Sequence, residues 1–351
     1  MTLSRRGFLS GLLMSAATRT SGGLRAPVLA EDQIIRCVAG IRPFRRTGPR
    51  IERQELGGRT VVHNYGHGGA GFTLSWGSAA AAADLVGDAG DRAAPIAVLG
   101  AGVVGLSTAR ILLERGWRVR LYAREFPPNT TSDVAGAEWS PDIVDRGVGP
   151  AARARFDRLL VSSWRRLQPL IGARWGIARR SIYEADDVAS GLDDLPAGLV
   201  APPRRLASLP FAPAHRGRVY QTLLIEPPIY LSRLVEALRH GGAVLERRSF
   251  STADQLRALP ERVVVNCMGV GAGAVFGDAA VVPIRGQLVH LRPQPLSYLL
   301  DHPAGYLVPR TDALVVGGSF EQGASDARTD PATCARILDE ARRFFAGPSR
   351  L

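Results

Sequence analysis

Apolar positions along this chain repeat with two different periods, and the places where the period changes outline its elements. Gln33–Val38 is rich in apolar residues and the alternation around Ile51 has the period of a half-buried strand, while Pro43 and Pro49 exclude helix between them. Val61 and Val62 run into a glycine-dense stretch, His63–Gly77 (HNYGHGGAGFTLSWG), whose continuation through Trp76 and Ala79–Ala83 predicts a helix ending near Gly87. Asp88–Pro95 is polar, with Gly90 and Pro95, and predicts a linker. Pro95–Leu99 then reads as a buried strand, LSTARILLERG as a helix and Trp117–Ala123 as a second strand. Ala151–Ile171 is an arginine-rich amphipathic helix, and the stretch from there to Arg218 is proline-rich with no sustained period. Strand, helix and strand return at Thr222–Ile225, Pro227–His240 and Ala243–Arg248. Arg262–Met268 (RVVVNCM) has the unbroken apolar character of a strand buried on both faces. Further strands follow at Pro283–Leu291, Tyr306–Pro309 and Val315–Gly318, and Asp330–Ala346 predicts a closing helix.

Alternating strands and helices predict an α/β chain, and 351 residues with 46% hydrophobic content suffice for one compact unit or two domains. The formal charge of +12 changes this picture little. All 44 basic residues are arginine and lie scattered, without the basic cluster and aromatics that nucleic-acid binding needs. The absence of lysine removes Schiff-base chemistry. Cys37, Cys267 and Cys334 are odd in number and lack CxxC spacing, and the six histidines show no HExxH pattern, so neither a disulfide framework nor a metal site is expected. Ser4-Arg5-Arg6-Gly7-Phe8-Leu9 with the apolar run Gly7–Ala17 matches a twin-arginine export signal, with Val28-Leu29-Ala30 offering cleavage before Glu31. That predicts the export machinery as a partner and a periplasmic or extracellular product. No apolar run is long enough to span a bilayer.

The chemistry concentrates in two glycine loops. Gly100-Ala101-Gly102-Val103-Val104-Gly105 is a G-x-G-x-x-G between a strand and a helix, the context in which that motif binds a dinucleotide. Pyrophosphate would sit on the helix start at Val103, Val104 and Gly105. The acid expected about 20 residues later, for a ribose hydroxyl, is Glu125, with Arg124 beside it. In Phe126–Pro141 (FPPNTTSDVAGAEWSP), Thr130, Thr131 and Ser132 offer hydroxyls, and Ala135, Gly136 and Ala137 let backbone pass close to a ligand. The bland alternatives are a Ser/Thr-rich loop here and, for Gly66, Gly68, Gly69 and Gly71, a tight strand-to-helix turn.

The stretch HNYGHGGxGxTxxWG resembles the C-terminal signature of the D-amino acid oxidase family, FAD flavoproteins that include D-aspartate oxidase. TTSDVAGAEWSP, VNCMGVGAG, PIRGQLVHL and Gly40-Ile41-Arg42-Pro43 resemble further segments of that family. The resemblance implies bound FAD and oxidation of a D-amino acid to the 2-oxo acid, ammonia and hydrogen peroxide, with dioxygen as acceptor. It places the substrate carboxylate on Arg42 and Tyr306 and the amine on the carbonyl of Gly69. Backbone amides of Gly68, Gly69, Gly71, Phe72 and Thr73 would face the flavin. A flavin oxidase of secondary or N-methyl amino acids, and a non-catalytic flavin-binding relative, remain alternatives. Where the family's loop carries a tyrosine this chain has Ala70, and His302 is the nearest polar residue to the family's lid tyrosine. Glu138 and Asp142 flank Trp139, so a basic D-amino acid becomes the expected substrate if either faces the pocket.

The order of these segments differs from the family's. The GxRP and HNYGHGG segments, last in the family, come first here, which implies a circular permutation joined through Gly87–Pro95. The expected architecture is a Rossmann-type FAD-binding domain interleaved with an α+β substrate domain on an antiparallel-rich sheet. Residues 1–30 form the signal, 57–150 and 219–279 the FAD-binding domain, and 31–56, 151–218 and 280–351 the substrate domain.

Overall fold

The computed structural model describes residues 24–87 and 91–347. The twin-arginine segment, part of the Asp88–Pro95 linker and the last four residues lie outside the described residues. In chain order the elements begin with β1 (Ile34–Arg45), β2 (Arg50–Leu56), β3 (Arg59–Tyr65), α1 (Gly71–Val86), β4 (Pro95–Leu99), α2 (Val103–Glu114) and β5 (Arg118–Ala123). They continue with α3 (Thr131–Val134), α4 (Pro150–Leu167), β6 (Ile177–Ala185), β7 (Arg204–Leu206), β8 (Gly217–Ile225), α5 (Pro227–His240) and β9 (Val244–Arg247). Last come β10 (Val263–Asn266), α6 (Gly271–Phe276), β11 (Val281–Leu291), β12 (Tyr298–His302), β13 (Gly305–Pro309), β14 (Leu314–Gly317), β15 (Glu321–Gln322) and α7 (Pro331–Ala346).

These strands form two sheets. One has six strands in the order β2-β3-β10-β4-β5-β9, parallel from β3 onward, with β2 antiparallel on its edge. β10 is buried at every residue because it lies between β3 and β4 and carries apolar side chains to both faces. α1 is buried almost all round because its Gly, Ser and Ala positions let it lie between α2 and α4. A Cβ on Gly77 would stand 2.1 Å from the Leu159 carbonyl of α4, and the Gly77 N–H donates to Ser163 Oγ at 2.7 Å.

The other sheet has nine strands and is mostly antiparallel, in the order β1-β11-β14-β13-β12-β6-β8-β7 with β15 on β11. One face meets the six-stranded sheet's core. The other is covered by α7, whose Cys334, Ile337, Leu338, Ala341 and Phe344 form one buried stripe. Leu29 is buried in that same cluster, Arg342 Nε donates to its carbonyl at 2.7 Å, and the Tyr298 hydroxyl donates to the Arg25 carbonyl at 2.7 Å.

Several expectations are corrected by this arrangement. β1 continues through Pro43 to Arg45, because its residues bond β11 and leave Pro43 opposite Pro283, where no ladder donor is needed. β2 pairs with β3, so the change of sheet falls at the turn 46–49 and not after Leu56. β8 belongs to the nine-stranded sheet, so residues 219–225 do too. β6 and β12 were not foreseen in the sequence; each is short or interrupted by arginine, and neighbours on both sides supply its ladder.

Candidate active site

At the first glycine loop each glycine has its own cause. Gly100 has φ 107°, and a Cβ there would stand 2.4 Å from the Cys267 carbonyl. A Cβ on Gly105 would stand 1.9 Å from the Gly100 carbonyl, so α2 could not pack on the turn. Gly102 faces Ser132 Oγ, which would meet its Cβ at 3.1 Å and accepts from the Val103 N–H at 3.0 Å. The N–H groups of Val104 and Gly105 have no acceptor among the described residues, as expected in a helix's first turn. Ser132 is thus the hydroxyl at the helix start. Thr130 instead caps α3, its hydroxyl donating to Asp133 Oδ2 at 2.7 Å, and Thr131 is exposed. Arg124 is exposed, and Glu125 pairs with Arg247 at 3.5 Å.

The second glycine loop differs from expectation in its amides. The Gly68 N–H donates to the Pro43 carbonyl at 2.9 Å, the Gly69 N–H to Ile143 at 3.0 Å and the Ala70 N–H to His67 at 2.9 Å. Only Gly71, Phe72 and Thr73 keep N–H groups with no acceptor among the described residues. The flavin-facing role expected of Gly68 and Gly69 amides is therefore corrected: the Asp142–Ile143 backbone sits where a ligand was expected, 2.0 Å from a Cβ on Gly68. Ala70 is wholly buried and does not line an opening. Thr73 Oγ donates to the Ser140 carbonyl at 2.8 Å, and a Cβ on Gly71 would stand 3.3 Å from Val103 Cγ1. The free starts of α1 and α2 therefore lie side by side, with positive dipole ends together.

His63 and His67, in the same loop, are structural. His63 Nε2 bonds Gln54 and Nδ1 bonds Asn266, and burial pushes both imidazoles down to about 4. No metal-binding cluster occurs among the described residues.

Beyond these helix starts stands the nine-stranded sheet. Arg42 on β1 lies across β11, where a Cβ on Gly286 would come within 2.3 Å of its Nη1, and it donates to the Ser319 carbonyl at 3.3 Å. It forms no salt bridge with a carboxylate among the described residues. The Tyr306 ring covers Gly317, whose Cβ would stand 2.2 Å from Cζ, and packs against Gly136 at 3.2 Å. Burial raises the Tyr306 hydroxyl's pKa while the Arg42 guanidinium beside it opposes that rise. Register places Glu184, Asp301, Tyr306 and Gly317 directly opposite one another across β6, β12, β13 and β14, so the three side chains share one face.

The segment Gly136–Ile143 closes the site from the side. Ala137 and Ile143 take φ of 62° and 51°, and for the β-branched Ile143 that is a strained conformation. Ala137 and Trp139 bond β8, through Ile225 N–H to the Ala137 carbonyl at 2.9 Å and Trp139 N–H to Leu223 at 2.7 Å. Glu138 Oε2 is out of solvent contact and without a hydrogen-bond partner. Burial, with Asp142 and Glu184 nearby, pushes Glu138 up to about 8 against the pull of Arg42. Asp142 is held by Ser140 and the Gly191 N–H.

The structure thus brings together Arg42, Tyr306, Gly69, Glu138 and Asp142. His302 is excluded: it lies on the opposite face of β12, stacked on Phe344 of α7 with centroids 4.8 Å apart. Asp301 was missed. Burial and the neighbouring Glu138, Asp142 and Glu184 raise it well above the usual carboxylate range. The signal for it was the apolar run Tyr298–Leu300 facing Gly305–Pro309 across the turn at Pro303, which makes a hairpin and pairs Asp301 with Tyr306.

Paired helix starts with free amides, glycines where backbone must approach, and Ser132 at the mouth suit the pyrophosphate of a dinucleotide and the polar edge of a flavin. The fold and site define a dinucleotide-dependent oxidoreductase of the doubly wound class. The chain belongs to the FAD dependent oxidoreductase family, DAO, whose model matches residues 11–85 and 95–351. It is 36% identical over 263 residues to the D-amino-acid oxidase of Rubrobacter xylanophilus, covering 72% of this chain and 77% of that protein. Likewise it is 34% identical over 258 residues to the D-amino-acid oxidase of Streptomyces coelicolor, covering 71% and 77%. Its fold resembles that of glycine oxidase from Geobacillus kaustophilus, with a TM-score of 0.53 at 19% identity over 71% of this chain and 77% of that one.

Proposed function

We propose that the protein oxidises a D-amino acid to the 2-oxo acid and ammonia, with reduction of dioxygen to hydrogen peroxide. The carrying observation is Arg42: a half-buried guanidinium with no carboxylate partner among the described residues, lying over Gly286 of β11 and beside the Tyr306 hydroxyl. Bound FAD supplies the two-electron acceptor and the route to dioxygen. Ser132 and the α2 amides hold its pyrophosphate, and the Gly71–Thr73 amides favour negative charge at the other end of the site. The Arg42 fork and Tyr306 fix the substrate carboxylate, and the Gly69 carbonyl accepts from the amine, so orientation contributes much of the rate. The Asp142–Ile143 backbone packs directly over Gly68 and Gly69. Purified protein should be yellow and release peroxide from D- but not L-amino acids. Turnover of sarcosine without D-amino acids would select the N-methyl reading, and colourless folded protein that refuses FAD would overturn both.

The chain order is read as a circular permutation. The family model's two matches stop and resume on either side of 86–94, the proposed join, and the relatives align over only about three quarters of their own length. β3 also sits next to β10 in a parallel pair despite some 200 intervening residues, as it would if the shuffled segments rebuilt one sheet. A gene reordered to place residues 95–351 before 31–87 should yield soluble, FAD-binding protein; insoluble product alone would count against permutation. The twin-arginine motif is read as an export signal, and replacing Arg5 and Arg6 by lysine should retain the protein in the cytoplasm. Because Leu29 packs in the α7 cluster, cleavage upstream of Leu24 suits the fold better than cleavage after Ala30.

A further inference from the structure

We propose that the preferred substrate is a D-amino acid with a cationic side chain, of the arginine, lysine or ornithine class, whose cationic end is held by Glu138 and Asp301. This rests on the D-amino acid oxidase reading above. Two strands place the acids. Asp301 is the direct sheet neighbour of Tyr306, and Glu138 lies two residues beyond Gly136, which packs on the Tyr306 ring. Both therefore flank the carboxylate clamp.

The other acids nearby already have partners. Glu184 accepts from Arg218 Nε at 2.7 Å and from Ser190 at 2.6 Å, and Asp142 is held by Ser140 and the Gly191 N–H with Arg146 beside it. Glu138 and Asp301 have no salt-bridge partner among the described residues, and Glu138 Oε2 is an orphaned buried acceptor. Arg42 is the cation that pulls on Glu138, and a bound substrate carboxylate would occupy it. With a neutral side chain Glu138 and Asp301 keep their protons, because no cation is there to let them ionise, and an acidic one brings a negative charge with nothing to balance it. A guanidinium or ammonium group supplies the missing charge, and a guanidinium offers a fork matched to a carboxylate.

The FAD-loaded protein should turn over D-arginine or D-ornithine with kcat/KM about tenfold or more above D-alanine. Glu138→Gln should lower kcat/KM for D-arginine about 100-fold while changing D-alanine less than about threefold. Binding read without turnover, from the flavin spectrum, should favour 4-guanidinobutyrate over butyrate, and Asp301→Asn should remove that preference. Preference for D-alanine or D-aspartate, or equal losses on both substrates in Glu138→Gln, overturns the proposal and assigns the acid to the α-amino group or to packing. Absence of turnover with every D-amino acid overturns the underlying reading instead.

A separate observation concerns the far face of the same sheet. Cys334 of α7 is buried in the apolar cluster under this face, and Cys37 of β1 packs against the same cluster. Cys334 Sγ lies 4.0 Å from Gln287 Oε1, and Gln287 is one same-face step from Val289, the residue opposite Cys37. We infer that hydrogen peroxide from the enzyme's own turnover joins them: the O–O bond breaks, one S–S bond forms, and both thiol protons leave in two waters. The bond would tie α7 to β1, the two elements the proposed permutation separates. Denatured protein should show three thiols before peroxide exposure and one, Cys267, afterwards, with a linked Cys37–Cys334 peptide in the mass spectrum. Cys37→Ser should keep its two thiols. Three thiols after exposure, or loss without the linked peptide, overturns the inference.

Discussion

Asp301 and His302 are consecutive on β12, yet they live in different chemistry. Asp301 shares a face with Tyr306 and Glu184, toward the candidate site, where Glu184 is paired with Arg218 but Glu138 Oε2 has no hydrogen-bond partner. His302 points to α7, where its ring stacks on Phe344 and the surroundings are apolar. A strand's period of two is enough to separate a reactive face from a packing face at one residue's remove. The comparison teaches that neighbourhood in sequence says little here about shared function. An open, polar face and a filled, apolar face should respond oppositely to substitution.

The largest expected effect is on the open face. Arg42→Ala should lower kcat/KM by a factor equivalent to about 3 kcal/mol or more, because the substrate carboxylate loses a bidentate partner. Thermal stability should hardly change, since the guanidinium has no carboxylate partner to strand among the described residues; a large fall in Tm would break the comparison. Next, Leu338→Ala on the filled face should cost about 2–5 kcal/mol in denaturant unfolding, through lost burial and a cavity. Its kcat/KM should stay at the parent value at temperatures where it is folded.

The faces should also separate by pH. Burial lowers the His302 imidazole to about 4, as it does for His63, His67 and His290. Unfolded histidine binds a proton below about 6.5 that the folded ring refuses until about 4, so stability is present above that window and is lost as pH falls through it. His302→Leu should flatten part of this acid loss in a Tm-against-pH curve. Glu138 has the opposite sign. Its folded pKa of about 8 exceeds the unfolded value, so it keeps its proton in the fold, and stability falls as pH rises from about 4.5 to 8. The smallest expected effect is therefore a modest Tm gain for substrate-free Glu138→Gln at pH 9, with none at pH 4.

Much of the dinucleotide half was legible in the sequence. Gly100, Gly102 and Gly105 sit in a strand–turn–helix whose apolar periods are unambiguous, and each proved necessary for a different close approach. Motif resemblance singled out Arg42 and Tyr306, and the structure sets them side by side. The amides of Gly68 and Gly69 were misread because the carbonyls that occupy them, Pro43 and Ile143, come from distant segments. Thr130 was misread for a local reason, since Asp133 completes a capping box three residues on.

The amino-acid order by itself determined the elements, the two glycine turns and the family to which the chain belongs, because periodicity and local backbone chemistry are properties of short segments. Only the tertiary structure decided which face of β12 carries chemistry, which amides stay free and which acids stand without a partner. Those outcomes depend on strand register and on groups brought in from far along the chain, and charge compensation in a buried site is a sum over all of them.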